Sequence, residues 1–202
     1  MKTGVRYQIM PSLVLGFHGT DKTTAEQVLD GEAELDLSTN DYDWLGHGIY
    51  FWEYSPSRAW EFALEKEKRG EIVTPAVVGA VIAPGVCFNL LESSALAELK
   101  TAYDLLCLVD KLPQNEGGED LYKRYLDCAV IEMAHELREL SGTGPLSQIA
   151  GVKPLPPYDT VRGAFWEGKN LYPSAGFKQK NHVQLCVRDP ACIKGYFRVL
   201  AD

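Results

Sequence analysis

The order of segments along this chain predicts an α+β fold, a split or antiparallel sheet with helices packed on it. Three observations predict it. Strand-like stretches gather near the two ends of the chain and flank a long helical middle, without regular alternation of strand and helix. No Gly-x-Gly-x-x-Gly follows the first strand, which argues against a doubly wound dinucleotide fold and a Rossmann dehydrogenase. Hydrophobic residues make up 46% and charged residues 24%, the composition of a globular protein with a real core. At 202 residues the length suits one domain, 1–202, better than two.

The elements follow in order. Leu13 to His18 alternates as a strand, with Leu13, Leu15 and Phe17 on one face and Val14, Gly16 and His18 on the other. Leu13, Leu15 and Phe17 make the greasier face. Thr23 and Glu26 form a capping-box pattern ahead of a short helix whose apolar stripe is Ala25, Val28 and Leu29, with Gly31 at its exit. Ser38 to Gly46 reads as a polar and aromatic loop. His47 to Trp52 reads as a strand leading into a second helix, with Ser55 placed to cap it, Pro56 in its first turn, and Ala59, Phe62 and Ala63 buried. Charged residues from Glu65 to Arg69 cover its outer end, and Gly70 closes it. Ala76 to Ile82 is a continuous apolar strand for the middle of a sheet.

Ser93 to Asp110 is helical. After a loop with Pro113 and Gly117-Gly118, Tyr122, Leu126, Ala129, Met133, Leu137 and Leu140 recur at helical spacing. His135, on that acidic helix, is expected at the surface. Strands are then expected near Tyr158 to Gly163, over Val183 to Arg188, and from Ile193 to Leu200.

The bulk properties set limits on function. No apolar run approaches the roughly 20 residues that cross a bilayer, so no membrane partner is expected. The N-terminal stretch lacks the apolar core of a secretory signal, so the expected compartment is cytoplasmic. Five cysteines without paired spacing argue for reduced, mostly buried thiols. His182, Cys186 and Cys192 match no common zinc pattern, and no metal is expected. The net charge of −8 conceals an asymmetry: up to Ala150 there are 12 Lys/Arg against 24 Asp/Glu, and from Gly151 onward 8 against 4. The acidic part reads as solvated helix faces. The basic part reads either the same way or as a surface near an anionic ligand.

Parity also sends His18, Tyr50 and Gln184 away from the apolar neighbours in their strands, so that the three could meet in one cleft. These residues sit in recognisable surroundings. Phe17-His18-Gly19-Thr20 resembles the first motif of the poly(ADP-ribose) polymerase and diphtheria-toxin branch of ADP-ribosyltransferases, a strand ending in His-Gly followed by Ser or Thr. Gly46-His47-Gly48-Ile49-Tyr50-Phe51 resembles the second, a Gly-x-Gly-Ile-Tyr-Phe strand entering a helix. Val183-Gln184-Leu185-Cys186-Val187-Arg188-Asp189 resembles the late strand that opens with the third catalytic residue. The motifs cover well under half the chain, and residues from roughly 93 to 155 have no counterpart and read as a helical insertion.

The resemblance implies a split antiparallel sheet of the ADP-ribosyltransferase kind and NAD as co-substrate. It implies that His18 bonds a ribose hydroxyl, the Gly19 backbone binds the nicotinamide carboxamide, Thr20 supports the ribose, Tyr50 stacks on the nicotinamide ring, and Gln184 touches the ribose 2′-hydroxyl. Breaking the nicotinamide–ribose bond develops positive charge on the sugar, so the site must orient the bond and place a dipole or charge beside it. The family commonly has Glu at the third position. Gln184 can neither carry negative charge nor take a proton, which favours a single transfer over polymer synthesis. It leaves room for a separate carboxylate, with Glu53 and Glu167 as candidates against the simpler reading of each as a surface glutamate.

Arg162, Lys178 and Lys180 read as solvated charges or, if functional, as ligands for pyrophosphate or an anionic acceptor. The implied activity is mono-ADP-ribosylation of a macromolecule, RNA, DNA or protein, by a chain resembling a bacterial toxin or defence effector, with room for an antitoxin partner. Trp44, Trp166 and Tyr172 are available to stack on an unpaired base. Two other readings are a silent module that binds NAD or ADP-ribose, and a related NAD hydrolase or RNA phosphotransferase.

Overall fold

The computed structural model describes residues 12–109, 112–115, 123–142 and 154–200. Among these residues, one mostly antiparallel seven-stranded sheet carries four α-helices. The strands are β1 (Val14–Asp21), β2 (Ile49–Glu53), β3 (Pro75–Ile82), β4 (Cys87–Asn89), β5 (Thr160–Phe165), β6 (His182–Val187) and β7 (Ile193–Arg198). The helices are α1 (Lys22–Leu29), α2 (Pro56–Lys68), α3 (Ser93–Val109) and α4 (Tyr125–Gly142). The spatial order is β4-β5-β6-β2-β1-β3-β7, parallel only between β4 and β5. The short β4 has no sequence signal beyond its β-prone Cys-Phe pair.

Both faces of the sheet are covered. On one, Val14, Phe51, Val78, Ala80, Ile82, Leu185 and Val187 pack under α1, which contributes Ala25 and Val28. The opposite face is divided. At one end α2 sets Ala59 and Phe62 against Phe17 and Trp52, and at the other α3 and α4 cover Phe88, Val161 and Cys186 with Ala95, Ala102, Val130, Ile131 and Ala134. Full burial of residues such as Phe51, Phe88 and Ile82 stabilises the fold by about 1.5–3 kcal/mol each.

The expected face of β1 is reversed over its first half. Val14 is buried, whereas Leu13 and Leu15 are 57% and 36% exposed. The course of α2 accounts for it: its Ala59 carbonyl lies against the place where a Cβ on Gly19 would sit, and Ala59 and Phe62 pack with Phe17 and not with Leu13 or Leu15. Capping differs too. Asp21, not Thr23, caps α1, accepting from the Thr23 amide, and its other oxygen takes the Val73 and Thr74 amides. Ser55 stands at the N-cap of α2 without a side-chain bond. Both helices leave through the expected glycines, Gly31 and Gly70, each at φ 75°.

The two helices of the expected insertion pack on each other; residues 143–153 near its end, and Tyr122 at the expected start of α4, lie outside the described residues. The buried face of α4 is wider than the expected stripe, of which Leu126, Met133 and Leu137 pack half-buried against the core. Cys128, Ile131, Ala134, His135 and Arg138 face inward. His135 is therefore not a surface residue: it is 5% exposed, edge-on to Tyr158 at 5.8 Å, and burial lowers its pKa to about 3. Arg138 is tolerated inward because it bonds Glu98, the Pro156 carbonyl and the Tyr158 hydroxyl, whereas His135 Nε2 is buried without a hydrogen-bond partner.

Four of the five cysteines are buried and all five are free thiols. Among the described residues, no helix is long and apolar enough to cross a membrane, and no group of three or more His, Cys, Asp or Glu is placed to hold a metal ion.

Candidate functional site

Strand β1 is held unequally on its two edges. It pairs with β3 at eight positions, from Val14↔Ile82 to Asp21↔Pro75. With β2 it pairs only at Gly16↔Glu53 and Phe17↔Trp52. Beyond Phe17 the two strands part, so this edge of His18, Gly19 and Thr20 has no partner strand among the described residues. A cavity of about 480 Å³ opens there, within the range of small-ligand sites.

Its floor includes His18, Tyr50, Trp52 and Gln184, drawn from β1, β2 and β6. The register Trp52↔Gln184 and Tyr50↔Cys186 sets Tyr50 and Gln184 on one face. Parity puts His18 on the other face, with Phe51, whose ring lies 5.8 Å from the imidazole. The parting of the strands lets His18 join them: its Nδ1 lies 2.8 Å from the Tyr50 carbonyl oxygen across the gap. Alternation within single strands was therefore an incomplete guide to the meeting of these three residues.

The hydrogen bonds settle what each side chain can offer. A carbonyl only accepts, so His18 Nδ1 carries the proton and Nε2 of the neutral ring is an acceptor. Burial lowers the His18 pKa to about 4; the Tyr50 carbonyl opposes this and the Lys66 charge adds to it. At neutral pH His18 can thus accept a hydrogen bond from a ligand hydroxyl. The Tyr50 hydroxyl is fully used, donating to the Gly46 carbonyl at 2.8 Å and accepting from the Leu45 amide at 3.0 Å. Burial raises its pKa well above the usual tyrosine value. What Tyr50 can give a ligand is the face of its ring, which suits stacking and not proton transfer.

The walls come from two sources. Phe62, Lys66 and Arg69 belong to α2 and its exit, while Asp36, Ser38, Asn40, Tyr42, Asp43 and Trp44 come from the long loop before β2. Lys123 and Glu71 complete them. Lys66 lies 5.5 Å over the Phe62 ring and makes no ion pair among the described residues, whereas Arg69 is bonded to Glu71. Sequence reading passed over Lys66 and Arg69 as an outer charged cover; their four- and seven-residue offsets from Phe62, a core-face residue, were the available signal. It also missed Asp43. Desolvation raises the pKa of this carboxylate, although bonds from Ser38 and Asn40 oppose the shift.

The expected carboxylates sit elsewhere. Glu53 is engaged at both oxygens by Arg162, at 2.5 and 2.8 Å, and neither residue lines the cavity. Glu167 is 4% exposed and bonded to Arg58 at 2.7 Å, with Lys180 at 3.2 Å. Glu167 is thus not the surface glutamate of the simpler reading, because two cations compensate its burial. Lys178 bonds Asn170 in the exposed loop between β5 and β6. Gly19 and Thr20 do not line the cavity. Gly19 lies against α2, and Thr20 is buried.

No family model matches the chain, and no solved structure matches it. It is 25% identical over 199 residues to an uncharacterised protein of Methanocaldococcus jannaschii, an alignment that covers 88% of this chain and 83% of that relative.

Proposed function

We propose that this cavity binds NAD and that the protein is a mono-ADP-ribosyltransferase, with the sheet opening between β1 and β2 as the split of that fold. One observation carries the reading: His18, Tyr50 and Gln184, the three motif positions, line one cavity although 32 and 134 residues separate them in sequence. The neutral His18 supports it, since its free acceptor matches a ribose hydroxyl. So does Tyr50, whose anchored hydroxyl leaves the ring face for nicotinamide. Lys66 is the cation for the diphosphate, in place of Arg162 and Lys180. Asp43 takes over from Glu53 and Glu167 as the carboxylate candidate, because it alone of the three lines the cavity. In this reading the site orients the glycosidic bond, buries nicotinamide against Tyr50, and collects the acceptor at the cavity mouth.

The test is incubation of the pure protein with NAD labelled in the adenosine half, in the presence of cellular RNA, DNA and protein. Nicotinamide release with label on a macromolecule is the expected result, and His18→Ala should lower the rate at least 100-fold. Free ADP-ribose as the sole product would make the protein a hydrolase. Binding without turnover would make it a silent NAD module, a reading favoured by the amide at Gln184. Absence of NAD binding would remove the proposal.

A further inference from the structure

Gln184 does not sit alone in the cavity. Trp44 Nε1 lies 2.6 Å from its Oε1. The indole reaches it by lying over Gly163, where a Cβ would come within 2.7 Å of the ring and exclude it. Gly163 is the register partner of Gln184 on β5, so one missing side chain makes the seat for the tryptophan beside the glutamine. Phe165, with its ring centre 4.8 Å away, holds the indole from a second direction. Leu90, Leu99, Val130 and Ile131 line a second, apolar cavity of about 390 Å³ against Trp44, so the α3–α4 end of the molecule also borders the indole.

An indole N–H is a donor with no acceptor capacity. Whichever way the amide is drawn, the atom facing Trp44 must therefore be the oxygen. The amide nitrogen, with two hydrogens, is left to make the other contacts of Gln184. We propose that Trp44 is a positioning residue that fixes the polarity of Gln184, so that the site offers a donor at Gln184 beside the acceptor at His18.

The inference deepens the NAD reading and, for its ligand, rests on it. A ligand that fits this pattern presents one hydroxyl proton to His18 Nε2 and one oxygen lone pair to the Gln184 amide. A glutamate at 184 would keep the Trp44 bond but present an acceptor in both places. The Gln184 site is therefore distinguished by donation, and Trp44, itself part of the cavity wall, sets that polarity through its bond to Gln184.

Two measurements test this. In 15N-labelled protein the Trp44 indole N–H resonance, assigned by its loss in Trp44→Phe, should shift in Gln184→Ala, without any ligand. An unmoved resonance overturns the inference. The second is NAD affinity in the four proteins of a double-mutant cycle, wild type, Trp44→Phe, Gln184→Ala and the pair. Trp44→Phe should weaken binding roughly 5- to 10-fold when Gln184 is present and less than about twofold when it is absent. Equal losses in both backgrounds would make Trp44 merely structural and overturn the inference. If the resonance shifts while NAD binds none of the four, the NAD reading and the ligand pattern fail together, and the Trp44–Gln184 orientation stands.

Discussion

The two edges of β1 are a controlled comparison within one strand. Along β3 it is zipped for eight positions against apolar or small residues, of which Val78, Ala80 and Ile82 are fully buried. Along β2 it is zipped for two and then released into a cavity walled by ionisable and aromatic groups. The same backbone is scaffold on one side and candidate binding surface on the other. Closure of a sheet consumes backbone groups, and only where a ladder stops do they become available to a ligand.

Experiments can break or sharpen that contrast. The largest effect is expected from Phe51→Ala, which empties a site with 0% exposure next to the junction; it should lower stability by about 3–5 kcal/mol in chemical denaturation. A cost below about 1 kcal/mol would mean that the closed side does not depend on this core. Tyr50→Phe comes next. It keeps the ring but leaves the Gly46 carbonyl and Leu45 amide without their partner, at a cost of about 1–2 kcal/mol. If the cavity binds NAD as proposed, affinity should fall less than tenfold in this variant and be lost in Tyr50→Ala. Equal affinities in the two would deny the ring its proposed stacking role.

Acidification probes both His18 and His135, which titrate lower in the folded protein, about 4 and about 3, than the ordinary 6.5. Between those values the unfolded chain takes up protons that the folded chain refuses. Stability from these two groups is thus complete above about pH 6.5 and declines as pH falls toward 4. The melting temperature should drop over that window, and less steeply in His135→Phe. An identical slope in that variant would show that His135 does not contribute. The smallest effects separate the two helix starts: Asp21→Ala should lower the melting temperature by a few degrees, and Ser55→Ala should change stability by less than about 0.5 kcal/mol. Equal effects would contradict the hydrogen bonding of the two caps.

The sequence announced most elements because hydrophobic periodicity and helix-stop glycines are local signals, as at Ala76–Ile82, Gly31 and Gly70. It failed where the answer depends on what crosses an element. Leu13 and Leu15 look as buried as Phe17 until α2 is seen to cross at Gly19. On α4 the expected Leu126, Met133 and Leu137 do pack on the core, but the inward Arg138 was missed, because nothing local says that Glu98 and Tyr158 will satisfy it. The positions His18, Tyr50 and Gln184 were legible from their motifs. Their partners Trp44, Asp43 and Lys66 were not legible as a group, since loop residues acquire a role only through the place where the strands part.

The distribution of thiols supplies a laboratory handle. Cys87, Cys128, Cys186 and Cys192 are enclosed, and burial raises the pKa of each, to about 11 at Cys87 and Cys192. Cys107, on the outer side of α3, is open to solvent. A maleimide dye at neutral pH will therefore mark one sulfur in native protein and five after denaturation, which makes stoichiometric labelling a gauge of integrity for every variant above and puts a fluorophore on the helical end of the molecule without mutagenesis.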